Sequence, residues 1–275
     1  MCIAAFVWQS HPLYPLILLQ NRDEYHNRPT KEVGWWDDEE EGKGEILGGR
    51  DEMGGGTWLG CSRQGRVAFL TNVLELHPSS DAATRGDLPL LFLKGTKSPM
   101  EFGQELAKEA HHYNGFNLIV ADIPSRSMVY ISNRPKGESV AIQEVVAGVH
   151  VLSNAKLDSP WPKVQRLEHN FKKMLSRYWE GEVPVKEMAE KLMKDRVKAE
   201  ESRLPGICDT DWEYNLSSVF VEVDTPLGRY GTRSTAALAV RDTGEVVFYE
   251  KYLEKGEWKE HELSYFIQKP KWTEA

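Results

Sequence analysis

The chain has 275 residues, a formal net charge of −8, and 40% hydrophobic and 28% charged residues, values ordinary for one large globular domain. The acidic balance argues against a dedicated nucleic-acid binder, which carries a basic face. Three cysteines, Cys2, Cys61 and Cys208, without CxxC spacing argue against a disulfide framework or a zinc knuckle and fit a reducing compartment.

From its start, segment 2–9 (CIAAFVWQ) reads as a strand apolar on both alternating faces, hence central and covered on both sides. It is not a secretory signal: no Lys or Arg precedes it, and Gln9, His11, Pro12 and Pro15 break the apolar run. Residues 15–20 (PLILLQ) read as its hairpin partner across His11 to Tyr14, which places the tetrad Asn21-Arg22-Asp23-Glu24 just past that strand's end. Residues 37–45 read as an acidic surface loop. Gly48-Gly49-Arg50-Asp51 and Gly54-Gly55-Gly56 then lead into strands at 57–62 and 66–72, joined by a turn at Gln64-Gly65.

Helical spacing appears at 99–111, with Ser98 as N-cap. Strands follow at 116–122, 127–133 and 145–153, then helices at 161–179, opened by Trp161-Pro162, and at 185–194. Pro205-Gly206 marks a loop. The last third reads as strands at 217–223, 234–241, 245–251 and 258–265, with a hairpin turn at Asp242-Thr243-Gly244. No run approaches the ~20 apolar residues of a membrane helix, and the final residues Trp272-Thr273-Glu274-Ala275 carry no lipidation or retention signal. Without repeats or linkers, strands at both ends and helices between them predict a single α/β sandwich domain over 1–275.

The chemistry centres on Cys2. Removal of Met1 gives Cys2 a free α-amine beside its own thiol, with ordinary pKa values of ~8 and ~8.5. The amine then serves as general base for the thiol, so acyl transfer needs no histidine; a retained Met1 blocks this. Asp23 can orient the amine, and Arg22 can lower the thiol pKa or bind an anionic group. Asn72 and Asn154, each at a predicted strand end, can donate an amide N–H to an oxyanion. Arg233, at the start of the strand at 234–241, is a further anion contact. Each of these also suits a turn or cap; together with Cys2 at the head of a buried strand they point to a site. Gly54 to Gly56 precede Thr57-Trp58 rather than Gly-Lys-Ser or Gly-Lys-Thr, so they read as a close-approach loop and not a phosphate cradle. His111-His112 reads as a helix end rather than a metal site. Trp35-Trp36, Trp58 and Trp161 suit packing more than a pocket.

Met1-Cys2 with its apolar strand, LLQNRDEYHNRPT at 18–30, ILGGRDEMGGGTWLG at 46–60, FLTNV at 69–73, LSNAKLDSPWPK at 152–163 and RYGTRSTAALAV at 229–240 together resemble the Asn-Arg-Asp-Glu family, also called transport and Golgi organisation protein 2, across nearly the whole chain. The resemblance implies an α+β, four-layer αββα sandwich of the N-terminal-nucleophile hydrolase type. It also implies a cytoplasmic role in Golgi organisation and secretion, lipid or acyl-coenzyme A homeostasis and haem trafficking. A small-molecule acyl or haem ligand, no required cofactor or metal, and at most peripheral association with Golgi or mitochondrial membranes are then expected, with Asn21, Arg22, Glu24 and Arg233 as substrate-binding residues. A more distant resemblance, to the choloylglycine hydrolases, matches Cys2, Asp23, Asn72, Asn154 and Arg233 to that group's nucleophile, amine-orienting Asp, two Asn positions and Arg. Those hydrolases carry an Arg a few residues before their Asn-x-Asp element. Here Leu18, Leu19 and Gln20 stand there, and Arg22 lies inside the element.

Overall fold

The computed structural model describes residues 2–37 and 44–268; Met1, residues 38–43 of the predicted acidic loop and residues 269–275 lie outside the described residues. Along the chain run β1 (Ile3–Trp8), β2 (Leu16–Tyr25), β3 (Thr30–Trp35), β4 (Ile46–Asp51), β5 (Leu59–Ser62) and β6 (Arg66–Asn72). Helices α1 (Asp87–Lys94) and α2 (Pro99–Glu109) follow, then β7 (Phe116–Asp122), β8 (Ser127–Ser132), β9 (Ala141–Glu144) and β10 (Gly148–Leu152). Helices α3 (Pro162–Leu175), α4 (Val185–Leu192) and α5 (Thr210–Asn215) precede β11 (Glu222–Thr225), β12 (Gly228–Val240), β13 (Glu245–Glu254) and β14 (Glu257–Phe266).

The strands form two sheets, ordered β10-β1-β2-β12-β13-β14, with β11 on β12, and β3-β4-β5-β6-β7-β8-β9. Every described pairing is antiparallel, apart from an isolated bridge at Ala83 and Tyr113. Alternation along β1 explains its apolar run. Ala4, Phe6 and Trp8 enter the core between the sheets, whereas Ile3, Ala5 and Val7 enter a second core against α3 and α4. A third core joins the other sheet to α1 and α2. The result is the expected α+β sandwich in four layers, αββα. Helix α3 follows from its sequence: Pro162 opens it, and Val164, Leu167, Phe171 and Met174 form its buried stripe, each contributing about 1.5–3 kcal/mol by burial. Ser98 closes a capping box with Glu101 at the start of α2.

Several expectations are corrected. Strand β2 does not end before the tetrad but runs through it to Tyr25, because β12 pairs along its length from Val240↔Leu16 to Tyr230↔Tyr25. Gly48 and Gly49, read as leading into the strand at 57–62, lie in a strand of their own, β4; the Trp58 indole fills the place a side chain at Gly49 would take. Arg233 lies inside β12, at a bulge between Thr232 and Ser234, rather than at a strand start. Helix 161–179 ends as an α-helix at Leu175 and continues as a 3-10 turn, Ser176–Tyr178. The strand predicted at 145–153 is the shorter β10, with β9 before it, and of 217–223 only the end joins β11. Strand β3 and helices α1 and α5 are additional elements.

Gly56 seats the segment before α1 against the second sheet. Thr57 donates its N–H to the Gly86 carbonyl at 3.0 Å, and a Cβ at Gly56 would overlap that same carbonyl group. Gly56→Ala is therefore expected to cost about 1–3 kcal/mol, read as a lower denaturant midpoint at unchanged slope; wild-type stability in this variant would show that the close approach is not required.

Candidate functional site

Cys2 sits at the head of β1, a strand paired on both sides by β10 and β2, is 7% exposed, and opens onto a cavity of about 450 Å³. Five of the predicted residues line this cavity: Cys2, Arg22, Asp23, Glu24 and Asn72, joined on the far wall by Arg85. The Cys2 carbonyl accepts from Ser153 Oγ at 3.3 Å, and the thiol accepts from the Asp23 backbone N–H. Burial pushes the thiol pKa up and the Asp23 carboxylate adds to this, while Arg22 opposes it. Asp23 Oδ1 accepts from Thr232 Oγ1 at 2.7 Å, and its backbone carbonyl accepts from Tyr230 OH at 3.4 Å. Burial, reinforced by Asp23 and Cys2, holds the Tyr230 phenol well above its ordinary value.

Arg22 forms the wall toward the other sheet. Its guanidinium lies 4.1 Å from the Trp58 ring centroid, donates to Thr30 Oγ1 at 3.0 Å and stands 3.7 Å from Asp51 Oδ2. Arg28 grips Asp51 through Nε at 2.8 Å and a second nitrogen at 2.7 Å. Burial opposes the charged form of Asp51, but Arg28 and then Arg22 outweigh it and hold the carboxyl below its ordinary value. Arg85 donates to the Gly115 carbonyl at 2.9 Å; burial lowers its pKa, while Glu75 and Cys2 pull it back up.

Three predicted residues stand elsewhere. Asn21 is fully buried on the helix face of the sheet: its Nδ2 donates to Met193 O at 2.8 Å and Val219 O at 3.0 Å, and its Oδ1 accepts from Thr235 Oγ1 at 2.7 Å. Asn154 lies behind Asn72, donating Nδ2 to the Asn72 carbonyl at 2.8 Å. Arg233 lines a second cavity of about 330 Å³, which shares Arg22 and Arg28 with the first. It donates to the carbonyls of Tyr25 at 3.2 Å and Arg28; burial and neighbouring Arg22 lower its pKa to about 10.

The residue missed by sequence reading is Lys163. It is buried, donates to Asn154 Oδ1 at 3.4 Å and to Leu216 O at 3.0 Å, and has its pKa lowered to about 8 by burial against the pull of Asp23 and Cys2. A signal was present: Lys163 stands four residues before Leu167 and eight before Phe171, on the apolar stripe of α3. Arg28, Asp51 and Arg85 carried no comparable signal, since loop and edge arginines usually face water. Among the described residues no group of three or more His, Cys, Asp or Glu side chains is arranged to hold a metal ion, and no helix is long and apolar enough to cross a membrane.

The family model for "Transport and Golgi organisation 2" matches residues 1–255. The chain is 32% identical over 285 residues to the mouse Transport and Golgi organization 2 homolog, covering 98% of this chain and 100% of that one. It is 34% identical over 265 residues to the human homolog, covering 91% and 92%. Among solved structures it resembles a C2A mutant of conjugated bile acid hydrolase from Clostridium perfringens, at a TM-score of 0.53 and 9% identity over 98% of this chain and 97% of that one. At that identity the likeness shows the fold alone, which is the N-terminal-nucleophile hydrolase sandwich.

Two outcomes follow from these environments. Asn21→Ala removes three buried hydrogen bonds and strands the Met193 and Val219 carbonyls, so it is expected to cost about 2–4 kcal/mol of unfolding free energy; an exposed or binding-only role would leave stability unchanged. Glu250, buried beside the second cavity and accepting Val33 N–H at 2.7 Å, has its pKa raised by burial to about 7. A raised folded-state pKa means that its contribution is fully present below the ordinary carboxylate range and is lost as pH rises through about 7. Glu250→Gln should therefore gain stability relative to the parent as pH is raised through that window, measured by denaturant unfolding at several pH values; a pH-independent difference would contradict a neutral Glu250.

Proposed function

Because the chain belongs to the Transport and Golgi organisation 2 family, we propose that it is an N-terminal cysteine hydrolase of an amide or acyl thioester, acting in lipid or acyl-coenzyme A homeostasis on the cytoplasmic side of the secretory pathway. The observation that carries this reading is the convergence of Cys2, Asp23 and Asn72 on one cavity at the head of β1. With Met1 removed, the Cys2 α-amine takes the thiol proton, Sγ bonds to the acyl carbon, and the amine or thiol leaving group departs with that proton. Water then hydrolyses the thioester. Asp23 orients the α-amine, and Asn72 is the oxyanion donor nearest the cavity. Arg22 and Arg85 supply cationic walls for an anionic part of the substrate. The relatives' name supports a connection to Golgi organisation.

A second reading draws on the thiol itself. Burial outweighs the nearby cations and keeps its pKa above the ordinary value, which suits a protein that holds an acyl-coenzyme A or haem ligand without turning it over.

Intact-mass spectrometry separates the two. Incubation with a short-chain acyl thioester is expected to add one acyl group to the Met1-processed chain, absent in Cys2→Ala and formed about 100-fold more slowly in Asp23→Asn. A retained Met1, or acylation that persists in Cys2→Ala, would end the hydrolase reading. Saturable binding of hemin or palmitoyl-coenzyme A undiminished in Cys2→Ala, with no acyl adduct, would establish the carrier.

A further inference from the structure

Lys163 is expensive where it stands. It occupies the second position of α3, where the helix dipole repels a cation, and its side chain is buried. An apolar residue on the stripe shared with Leu167 and Phe171 would pack there without desolvating a charge. Its surroundings are polar on the side toward Cys2. The ammonium reaches Asn154 Oδ1 and the Leu216 carbonyl. Asn154 in turn carries the Asn72 carbonyl on Nδ2 at 2.8 Å and accepts Ser153 Oγ at 2.9 Å. Ser153 Oγ also reaches the Cys2 carbonyl. Hydrogen-bonding contacts thus run from Lys163 through Asn154 to the Asn72 carbonyl and, by way of the single Ser153 hydroxyl shared between Asn154 and Cys2, to the Cys2 carbonyl.

The charges around Lys163 point the same way. From the sheet, Cys2 and Asp23 are the groups whose negative forms favour its protonation. From the other side, Glu213 of α5 borders the same small cavity as Lys163, but its carboxylate already accepts the N–H groups of Gly206, Ile207 and Cys208. Cys2 itself is faced by Arg22 and Arg85 from its cavity side, by Asp23, and by Tyr230.

We propose that Lys163 is a positioning residue of the Cys2 site: through Asn154 it fixes Asn72 at the cavity wall, and its buried ammonium stabilises the Cys2 thiolate from behind the sheet. This rests on reading Cys2 as the nucleophile, but its test does not require turnover.

The measurement is the rate of iodoacetamide alkylation at Cys2, followed by peptide mass spectrometry from neutral to alkaline pH, in the full chain and in Lys163→Met and Lys163→Arg. Lys163→Met is expected to alkylate roughly tenfold more slowly at neutral pH, with its inflection moved to higher pH, at an unfolding midpoint equal to or above that of the parent. Lys163→Arg is expected to restore much of the profile. A Cys2 profile unmoved in a folded Lys163→Met would overturn the proposal and leave Lys163 a structural tie. Should Lys163→Met not fold, the reciprocal coupling is read in Cys2→Ala, where the lysine side-chain NMR titration of Lys163 should move to lower pH than in the parent; no movement there is equally fatal. A Lys163-dependent alkylation profile without any acyl adduct would retain this proposal while removing the hydrolase reading, and an acyl adduct with an unmoved profile would do the reverse.

Discussion

Alternation along β2 is the constraint on which the site depends. Residues two apart in a strand share a face and neighbours do not, so Asn21 and Asp23 turn toward the helices while Gln20 and Arg22 turn toward the second sheet. Asn21 ties the strand to the Met193 and Val219 carbonyls; Arg22 reaches Trp58 and Asp51 across the sandwich. One run of residues therefore clamps three layers at the level of Cys2. The bulge in β12 completes the arrangement. It reverses the alternation between Thr232 and Ser234, so Thr232 stands beside Asp23 on the helix face, while Ser234 borders the second cavity with Glu250.

The same geometry sets the electrostatics. Burying Arg22, Lys163 and Arg233 costs free energy that each recovers only through specific partners: Arg22 through Thr30, Asp51 and Trp58, Arg233 through the Tyr25 and Arg28 carbonyls, and Lys163 through Asn154 and the Leu216 carbonyl. The opposing influences meet at the thiol: burial raises its pKa and the cations lower it, with burial prevailing. A thiol kept neutral at rest needs a base delivered with the substrate in place. In the proposed mechanism the α-amine of the same residue meets that need without another titrating side chain.

The architecture was legible because it rests on periodicity. The doubly apolar β1, the capping box of α2 and the stripe of α3 each follow from a repeat of two or of 3.6 residues. Strand β4 was not legible, because Gly48 and Gly49 read as a lead into the next strand until the Trp58 ring that fills the place of a side chain at Gly49 is known. For the site, Cys2, Arg22, Asp23, Glu24 and Asn72 were legible as polar residues near strand ends. Asn21, Asn154 and Arg233 were grouped with them because spacing along the chain does not reveal which face of a sheet a residue takes when the strand continues past its expected end. Lys163 was hidden by the opposite habit: a lysine early in an amphipathic helix usually reaches water, and only its place on the apolar stripe says otherwise.

That place carries the strongest argument for a charged site rather than a retired scaffold. A sandwich needing only stability has no use for an ammonium inside its core at the positive end of a helix, nor for a neighbouring asparagine that links it to the end of β6. Apolar packing would serve α3 at least as well. What the lysine provides is positive charge behind β1, on the side of the sheet that the arginines of the cavity do not reach. Cations on both sides of a single buried thiol are intelligible where negative charge must develop on that sulfur or on the carbonyl oxygen it attacks.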